Sequence, residues 1–407
     1  MARSSEVTVR FDPGVLDPEP EARAQLLSRL EAGLAAVEPE ALTAAALAGR
    51  RSGKTMVISI GKAAPAMARG AASVLDVVGG VCVADHPEQV PERMSFMIGD
   101  HPVPGSASLE AGAAVLDAVR SAPPSVDIVA LVSGGGSALC ESPREGVPAE
   151  FLAAVTNRLI SGGAAIEELN LLRSHLSAIK CGGVARAAGR PIDTYVISDV
   201  AGAGPGVVAS GPTIPGPHDP EAAAVVLAGL SMSIPPGVWQ AMKTEPVPLP
   251  TPEVTLLADA SDAAQAAAAA PPPAVVEADW LRGELGAGLD RFLANVEPGM
   301  TVAAGEVVLE VSGPGRGGRN THAALLAAER LAGSNDVFCA FATDGVDGRS
   351  GGAGGIVDGS TIERGGDPAD ALRSFDSATY LAGTSDLLRC RPTGTNVSDL
   401  WILWRRG

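Results

Sequence analysis

Two stretches of this chain run from a β-branched segment straight into glycine and then into a segment of helical period: TMVISIG (55–61) followed by KAAPAMARGAASVL, and DIVALVS (127–133) followed by GGGSAL. Strand, tight turn and helix together form the repeating unit of a parallel sheet, because parallel neighbours need a crossover and a helix is the usual one. VGGVCVA (78–84), SFMIGD (95–100) and YVISDV (195–200) supply further candidate strands. Apolar spacing predicts helices over about 106–120, 148–161 and 164–172, and one or two amphipathic helices over 19–48. The expected fold class is therefore α/β, with a doubly wound parallel sheet whose ligands sit at the carboxyl ends of the strands. Lys62, Ser133–Ser137 and Ser198–Asp199 fall at such ends.

A chain of 407 residues exceeds one ordinary core, so two domains are expected. The proline-rich stretch 234–253 reads as a linker or long crossover, which places the domains at 1–250 and 251–407. The second series runs through VTLLADA (254–260), a strand at EVVLEVS (306–312), a helix at about 319–332 and a strand at VFCAFAT (337–343). No internal repeat is visible. Only 3% of residues are aromatic while 46% are hydrophobic, much of that alanine, so the core must be close-packed helices over Val, Ile and Leu strands.

The net charge of -17 argues against nucleic acid and anionic membranes as partners. It also means that an anionic substrate needs local arginine or lysine to overcome the global field. The five cysteines (Cys82, Cys140, Cys181, Cys339, Cys390) have no zinc-site or disulfide spacing and read as reduced thiols. MARSSEVTVRFDPG lacks an apolar signal region, and the most apolar run, 263–276, is too short to span a bilayer. A cytoplasmic protein is the expectation.

The sharpest local motif is SGPGRGGRN (312–320), in which Gly313, Gly315 and Gly318 satisfy G-x-G-x-x-G ahead of a predicted helix. Backbone N–H groups of Gly317, Gly318 and Asn320 at a helix start would bind an anion, and Arg316 and Arg319 would add charge. Nucleotide phosphate, a dinucleotide, or a structural glycine turn all fit this pattern. SGGGSAL brings Gly134, Gly135 and Gly136 between two serines, which suits either a ligand touching backbone or a tight strand–helix turn; Leu139 rules out a nucleophile elbow. RRSGKT (50–55) is no Walker A loop, because its glycine spacing is wrong and it precedes a strand. ATDGVDG (342–348) offers Asp344 and Asp347 for Mg²⁺ or substrate, or for plain turn chemistry. Asn170, Arg173 and His175, near Lys180, form a polar group that is either structural or substrate-binding, and Asp199 is either a base or orienter or a cap.

Together GKAAPAMA (61–68), HPVPGSAS (101–108), SGGGSAL (133–139), NLLRSHLSAIK (170–180), SDVAG (198–202), ASGPT (209–213), GPGRGGRN (313–320), TDGVDG (343–348) and PTGTNVSDL (392–400) resemble the class-II glycerate kinase family, in the family's order and across nearly the whole chain. The resemblance implies a Rossmann-like N-terminal domain, a smaller α/β domain of the MOFRL type, and an active site in the interdomain cleft. It implies ATP- and Mg²⁺-dependent phosphorylation of glycerate to 2-phosphoglycerate. Lys62 and Arg319 would be the phosphate-stabilising pair and Asp199 a further catalytic group. Gly313, Gly315, Arg316, Gly317, Gly318, Asn320 and Gly134–Gly136 would bind nucleotide phosphate. Ser133, Ser137, Asn170, Arg173 and His175 would bind a small hydroxy acid, with Asp344 and Asp347 on the metal. A homodimer stays open as the assembly.

Departures from the family pattern gather in the same loops: Gly105 for Asp, Gly202-Ala203-Gly204 for a Gly-Asp-Asp run, Cys181 for Gly, and His322 for Glu. They leave open a kinase of another hydroxylated acceptor, or a nucleotide-binding relative without catalysis. An NAD(P)-dependent hydroxypyruvate or hydroxy-acid oxidoreductase is the alternative of another class.

Overall fold

The computed structural model describes residues 11, 20–50, 53–161, 166–200, 202, 204–248, 252–294 and 297–406. The N-terminal expectation, part of RRSGKT and Ala203 lie outside them. Two compact units are present. The central unit comprises Pro39–Ser198 and Ala203–Leu257, and the terminal unit comprises Met1–Glu38, Asp199–Gly202 and Ala258–Gly407.

The central unit is built on six strands, β1 (Lys54–Ile60), β2 (Asp76–Ala84), β3 (Ser95–Ile98), β4 (Asp127–Ser133), β5 (Asp193–Ile197) and β6 (Val254–Ala258), in the order β3-β2-β1-β4-β5-β6. The pairs β1/β2, β1/β4, β2/β3 and β4/β5 are parallel. β4 is buried at six of its seven positions, which is why DIVALVS shows no polar alternation: helices cover both faces of such a sheet. Ile58, Ile60, Val81, Val83, Ile128 and Val132 meet Val115, Leu116 and Val119 of the helix Ser106–Ser121 in one core. The strand order reverses between β1 and β4, the position where doubly wound sheets open a ligand crevice. A satellite core joins Leu152, Leu159, Leu172, Leu176, Leu227 and Met242. Met242 belongs to the helix Pro236–Lys243, so the proline-rich stretch is not a bare linker; proline starts that helix, where its missing N–H costs nothing.

The terminal unit holds β7 (Val275–Val276), β8 (Gly299–Gly305), β9 (Val337–Ala342), β10 (Gly354–Asp358), β11 (Leu387–Leu388) and β12 (Asp399–Arg405), ordered β11-β10-β9-β12-β8-β7. β7/β8 are parallel, and β8/β12, β9/β12, β9/β10 and β10/β11 are antiparallel. Trp401 of β12 packs edge-on against Phe292 and Phe338 at the centre. The expected strand EVVLEVS is absent: Val308 and Val311 are exposed and only an isolated bridge touches Val308. GMTVAAG just before it forms β8 instead. The helix Pro20–Ala36 also belongs here, and its wholly buried Arg29 donates to the carbonyls of Ala267 (3.0 Å) and Ala270 (2.8 Å) at the end of the helix Ala260–Ala269. Negative helix-end dipoles replace the counter-ion that a buried guanidinium otherwise needs.

One end of this second sheet collects five of its connecting segments. Asp399 stands opposite both Gly305 and Ala342, and Gly354 opposite both Phe341 and Leu388. The segments after β8, β9 and β11 and before β10 and β12 therefore leave the sheet at the same edge.

Candidate active site

In the central unit the chain turns after β1 at Gly61, where φ is 129°. A Cβ there would stand 2.3 Å from Ser133 Oγ and 2.4 Å from Ser133 O, so only glycine lets the loops after β1 and β4 touch. Lys62 N donates to Gly134 O at 2.9 Å and Ala63 N to Ser133 Oγ at 3.0 Å. Ser133 is fully buried and its hydroxyl serves this strand-to-loop bond, which corrects its expected substrate role. Gly135, at φ 80°, leaves room for the Lys62 side chain: a Cβ at Gly135 would lie 3.1 Å from Lys62 Cγ. Gly136 is needed against Ala209 and Ile60. The half-buried Lys62 thus lies across the glycine turn at the β1/β4 reversal.

Ser137 begins a second polar group. Its Oγ is 2.9 Å from Ser210 Oγ, and Arg173 Nη1 donates to the same Ser210 hydroxyl at 2.9 Å. Asn170 and Arg173 are three residues apart on the helix Ile166–Leu176 and share a face. Among the described residues no carboxylate ion-pairs with Arg173, and Asn170 Oδ1 is buried with no donor. Burial lowers the Arg173 pKa below its ordinary value.

Two neighbours turn out to be structural. His175 is wholly buried, its Nδ1 2.8 Å from Leu171 O and its ring stacked on His218 at 4.8 Å. Burial lowers its pKa, so it packs as a neutral ring rather than presenting a charge to substrate. Lys180, also wholly buried, donates to Cys140 O (2.6 Å) and lies 3.5 Å from Glu141 Oε2. Glu141 Oε1 accepts in turn from Ser142 N (2.9 Å) and Ser177 Oγ (2.5 Å). Burial pushes the Lys180 pKa down while the Glu141 charge opposes it. This enclosed pair fixes the loop through Cys181, whose N–H holds Ser210 O at 2.8 Å.

In the terminal unit the glycine loop is consumed by its own chain. A Cβ at Gly313 or Gly315 would meet Ser374 O within 2.5 Å, one at Gly317 would meet Ser377 Oγ at 2.5 Å, and one at Gly318 would meet the Asp347 carboxyl at 2.4 Å. Gly315 N donates to Ser374 O (2.9 Å), Arg316 N to Asp376 Oδ1 (2.8 Å) and Gly318 N to Thr321 Oγ1 (2.8 Å). Asp347 supplies the anion at the start of the helix Arg319–Leu331, accepting from Asn320 N at 2.9 Å and Thr321 N at 2.8 Å. Its carboxylate sits where the sequence suggested phosphate. Arg319 is likewise engaged: Nε and Nη2 reach Asp399 at 2.5 and 3.1 Å, and Nη1 reaches Glu306 at 2.5 Å. Asn320 Nδ2 donates to Asp399 Oδ1 (2.9 Å), and Trp401 Nε1 donates to Asn320 Oδ1 (3.0 Å). Burial works against the Arg319 charge, but Asp399 and Glu306 outweigh it and hold its pKa above the ordinary value.

Of the carboxylate pair expected to hold Mg²⁺, Asp347 does not fit that task. Both Asp347 oxygens cap the helix, while Asp344 Oδ1 accepts from Val346 N at 2.9 Å. Among the described residues no group of three or more His, Cys, Asp or Glu is placed to share a metal ion. Asp199 Oδ2 accepts from Asn396 Nδ2 at 3.4 Å, and its carbonyl accepts from the Ser398 hydroxyl.

The departures also have local reasons. Gly105 lies against Asp100, whose Oδ2 would be 2.5 Å from an added Cβ and accepts from Ser108 N. Asp100 thus provides the acid at that helix start. Cys181 sits at φ 51°, where its family counterpart is glycine. His322 stacks on Phe375 at 5.3 Å, and burial lowers its pKa, so a neutral ring stands in the family's Glu position. Sequence reasoning did not single out Ser210, Glu141, Glu306 or Asp399. Ser210 and Asp399 lay inside quoted motifs, but only the fold pairs them with Arg173 and Arg319.

Residues 25–243 match a family described as a domain of unknown function (DUF4147), and residues 299–399 match the MOFRL family. A D-glycerate 2-kinase from Thermotoga maritima is 34% identical, the match covering 86% of this chain and 90% of the relative. The chain belongs to the class-II glycerate kinase family. A glycerate 2-kinase from Pyrococcus horikoshii is 33% identical over 86% of this chain and 87% of its own. A relative from Agrobacterium vitis carrying the provisional name hydroxypyruvate reductase is 35% identical over 92% and 93%. The crystal structure of a glycerate kinase from T. maritima superposes with a TM-score of 0.85 at 31% identity, covering 95% of this chain and 99% of that one. The class-II glycerate kinases thus share both units described above.

Proposed function

We propose that this chain is an ATP-dependent kinase that transfers the γ-phosphoryl group to a hydroxyl of glycerate, giving 2-phosphoglycerate. The observation that carries the acceptor side is the pair formed by Arg173, without a carboxylate partner among the described residues, and the buried Asn170 Oδ1, without a donor among them, on the same helix face. A guanidinium forks across a carboxylate, and an amide oxygen takes a hydroxyl proton. A small hydroxy acid carries both groups. Ser210, bonded to Ser137, holds Arg173 in register, and the N–H of Cys181, next to Lys180, holds the Ser210 carbonyl.

Phosphoryl transfer asks a protein mainly to position groups and neutralise charge. Lys62 is proposed to neutralise charge on the moving phosphoryl group. Arg319 keeps one further N–H on each terminal nitrogen while Asp399 and Glu306 fix its plane, and that supports a second charge-neutralising role. Asp199, oriented by Asn396, is the proposed acceptor of the hydroxyl proton. Mg²⁺ is proposed to arrive on the nucleotide phosphates, as it commonly does; Asp347 is not its ligand. The reductase name gains no support from the first turn of the sheet, which reads Gly61-Lys62-Ala63-Ala64 rather than a dinucleotide fingerprint.

The test is release of ADP from ATP and Mg²⁺ with D-glycerate, with glycerol and hydroxypyruvate as comparison substrates. D-Glycerate should turn over and glycerol, lacking the carboxylate, should not. Arg173→Ala should raise KM for glycerate by roughly 10- to 150-fold, the worth of a charge-assisted hydrogen bond, with KM for ATP unchanged. NAD(P)H oxidation with hydroxypyruvate, and no ADP from any acceptor, would sink the kinase reading.

A further inference from the structure

The nucleotide needs a seat, and the glycine loop has few donors left to offer. Its glycines meet Ser374–Ser377 and Asp347, and the first amides of its helix are capped by Asp347. What the same edge of the sheet does offer is arginine. Arg316, Arg349, Arg389 and Arg391 are all exposed, and among the described residues none has a carboxylate ion partner. Elsewhere in the terminal unit Arg319, Arg330, Arg364, Arg373 and Arg405 each hold one, while Arg29 and Arg291 bond to carbonyls instead and Arg282 holds no acid among the described residues. In a chain with 47 acidic and 30 basic residues, leaving four neighbouring arginines without acids is chemically meaningful.

The backbone brings them together around one loop. Arg349 N donates to Gly317 O at 3.0 Å, next to Arg316, and Arg316 Nη2 lies 3.1 Å from where a Gly351 Cβ would be. On the other flank Ala353 N donates to Leu388 O at 2.8 Å, next to Arg389, and the Arg391 carbonyl lies 2.8 Å from a Cβ built at Gly345. Asp376 Oδ1 accepts from the Arg316 amide and the Thr379 hydroxyl, and no ion pair joins it to the Arg316 guanidinium. The Arg316 main chain is held on both sides, since its carbonyl accepts from Ala378 N at 2.9 Å.

We infer that Arg316, Arg349 and Arg389, with Arg391 beside them, form the polyphosphate subsite of the terminal unit: guanidinium side chains, not glycine-loop amides, recognise the phosphate tail of the nucleoside triphosphate. The inference rests on the kinase reading for the identity of the ligand but not for the existence of the subsite. Guanidinium groups from three loops match a chain of phosphates, each presenting several acceptor oxygens.

Titration calorimetry of the whole chain with ATP, and separately with inorganic tripolyphosphate, tests it without turnover. Arg316→Ala, Arg349→Ala and Arg389→Ala should each weaken ATP binding by roughly tenfold, and the double variants by more. The slope of log Kd against log salt should fall in each, and KM for glycerate should stay constant. The Lys variants should recover part of the loss. Tripolyphosphate should compete with ATP and lose affinity in the same variants. Wild-type ATP affinity in all three alanine variants would overturn the subsite while leaving the kinase reading intact. Tripolyphosphate binding that depends on these arginines, with no ATP binding and no phosphorylation of glycerate, would keep the subsite and overturn the kinase reading.

Discussion

Asp399→Asn isolates the ion pair that orients Arg319. Asp399 is 1% exposed and accepts from Arg319 Nε, Arg319 Nη2 and Asn320 Nδ2. An asparagine oxygen can keep the contacts to Nη2 and Asn320, but its NH₂ then faces Arg319 Nε–H, donor against donor. One charge-assisted bond is lost and one donor is left unsatisfied. Removing one partner of a fully buried pair costs about 3–5 kcal/mol. Here the arginine side chain is a third exposed and keeps Glu306, so water and that carboxylate recover part of the loss. About 2–3 kcal/mol remains. At about 2–4 °C per kcal/mol for a unit of this size, the terminal unit should melt roughly 4–12 °C lower. Scanning calorimetry resolves its transition, and emission of Trp401, linked through Asn320, reports the same event. In the folded variant kcat should fall further than KM for either substrate, because a mis-set guanidinium harms the transition state most. A melting midpoint within 1 °C of the parent protein would refute the assignment of this pair.

Lys62→Ala should cut turnover by roughly 10²–10³-fold, the usual loss when one transition-state donor is removed, with little change in melting; near-normal turnover would remove Lys62 from the chemistry. Asp358 supplies the pH prediction. Burial alone would raise its pKa, but hydrogen bonds from Arg364 and Ser360 outweigh burial and hold it below the ordinary carboxylate value. Its stabilisation is therefore complete above about pH 4 and is lost as pH falls through the lower folded-state pKa. Asp358→Asn should show a lower urea midpoint than the parent at pH 7, and the gap should narrow by pH 3; a constant gap would count against the linkage.

The parallel sheet was legible because its strands announce themselves locally. DIVALVS coincides with β4, and TMVISIG overlaps β1 to within one residue at each end; each is β-branched, each ends at glycine and each is covered on both faces. The antiparallel sheet was harder. β8 is glycine- and alanine-rich, and its strand character comes from partners about a hundred residues away in β12. EVVLEVS had the better propensity but pairs only through the isolated bridge of Val308 with Glu284. The same divide separates the candidate site residues. Lys62 and Arg173 sit in motifs whose polarity is conspicuous in an apolar setting. Asp399, Glu141 and Ser210 matter only through side chains far off in sequence. The glycines of 313–318 show the reverse error: a ligand-binding pattern whose spacing is required by the turn at Ser374–Ser377 and by Asp347.

The docking of Pro20–Ala36 has a consequence for the order of synthesis. Arg29 finds its acceptors at Ala267 and Ala270, and its guanidinium also meets Met300. At about 5–20 residues per second, tens of seconds separate the emergence of this helix from that of its seat. Through that interval the ribosome has delivered every strand of the parallel sheet while one of the first helices made waits with Leu26, Leu30 and Leu34 uncovered. Trimming the chain ahead of residue 39 would therefore injure the half of the protein made last, and shield-like factors acting on nascent chains would find their target in the earliest segment rather than in the newest.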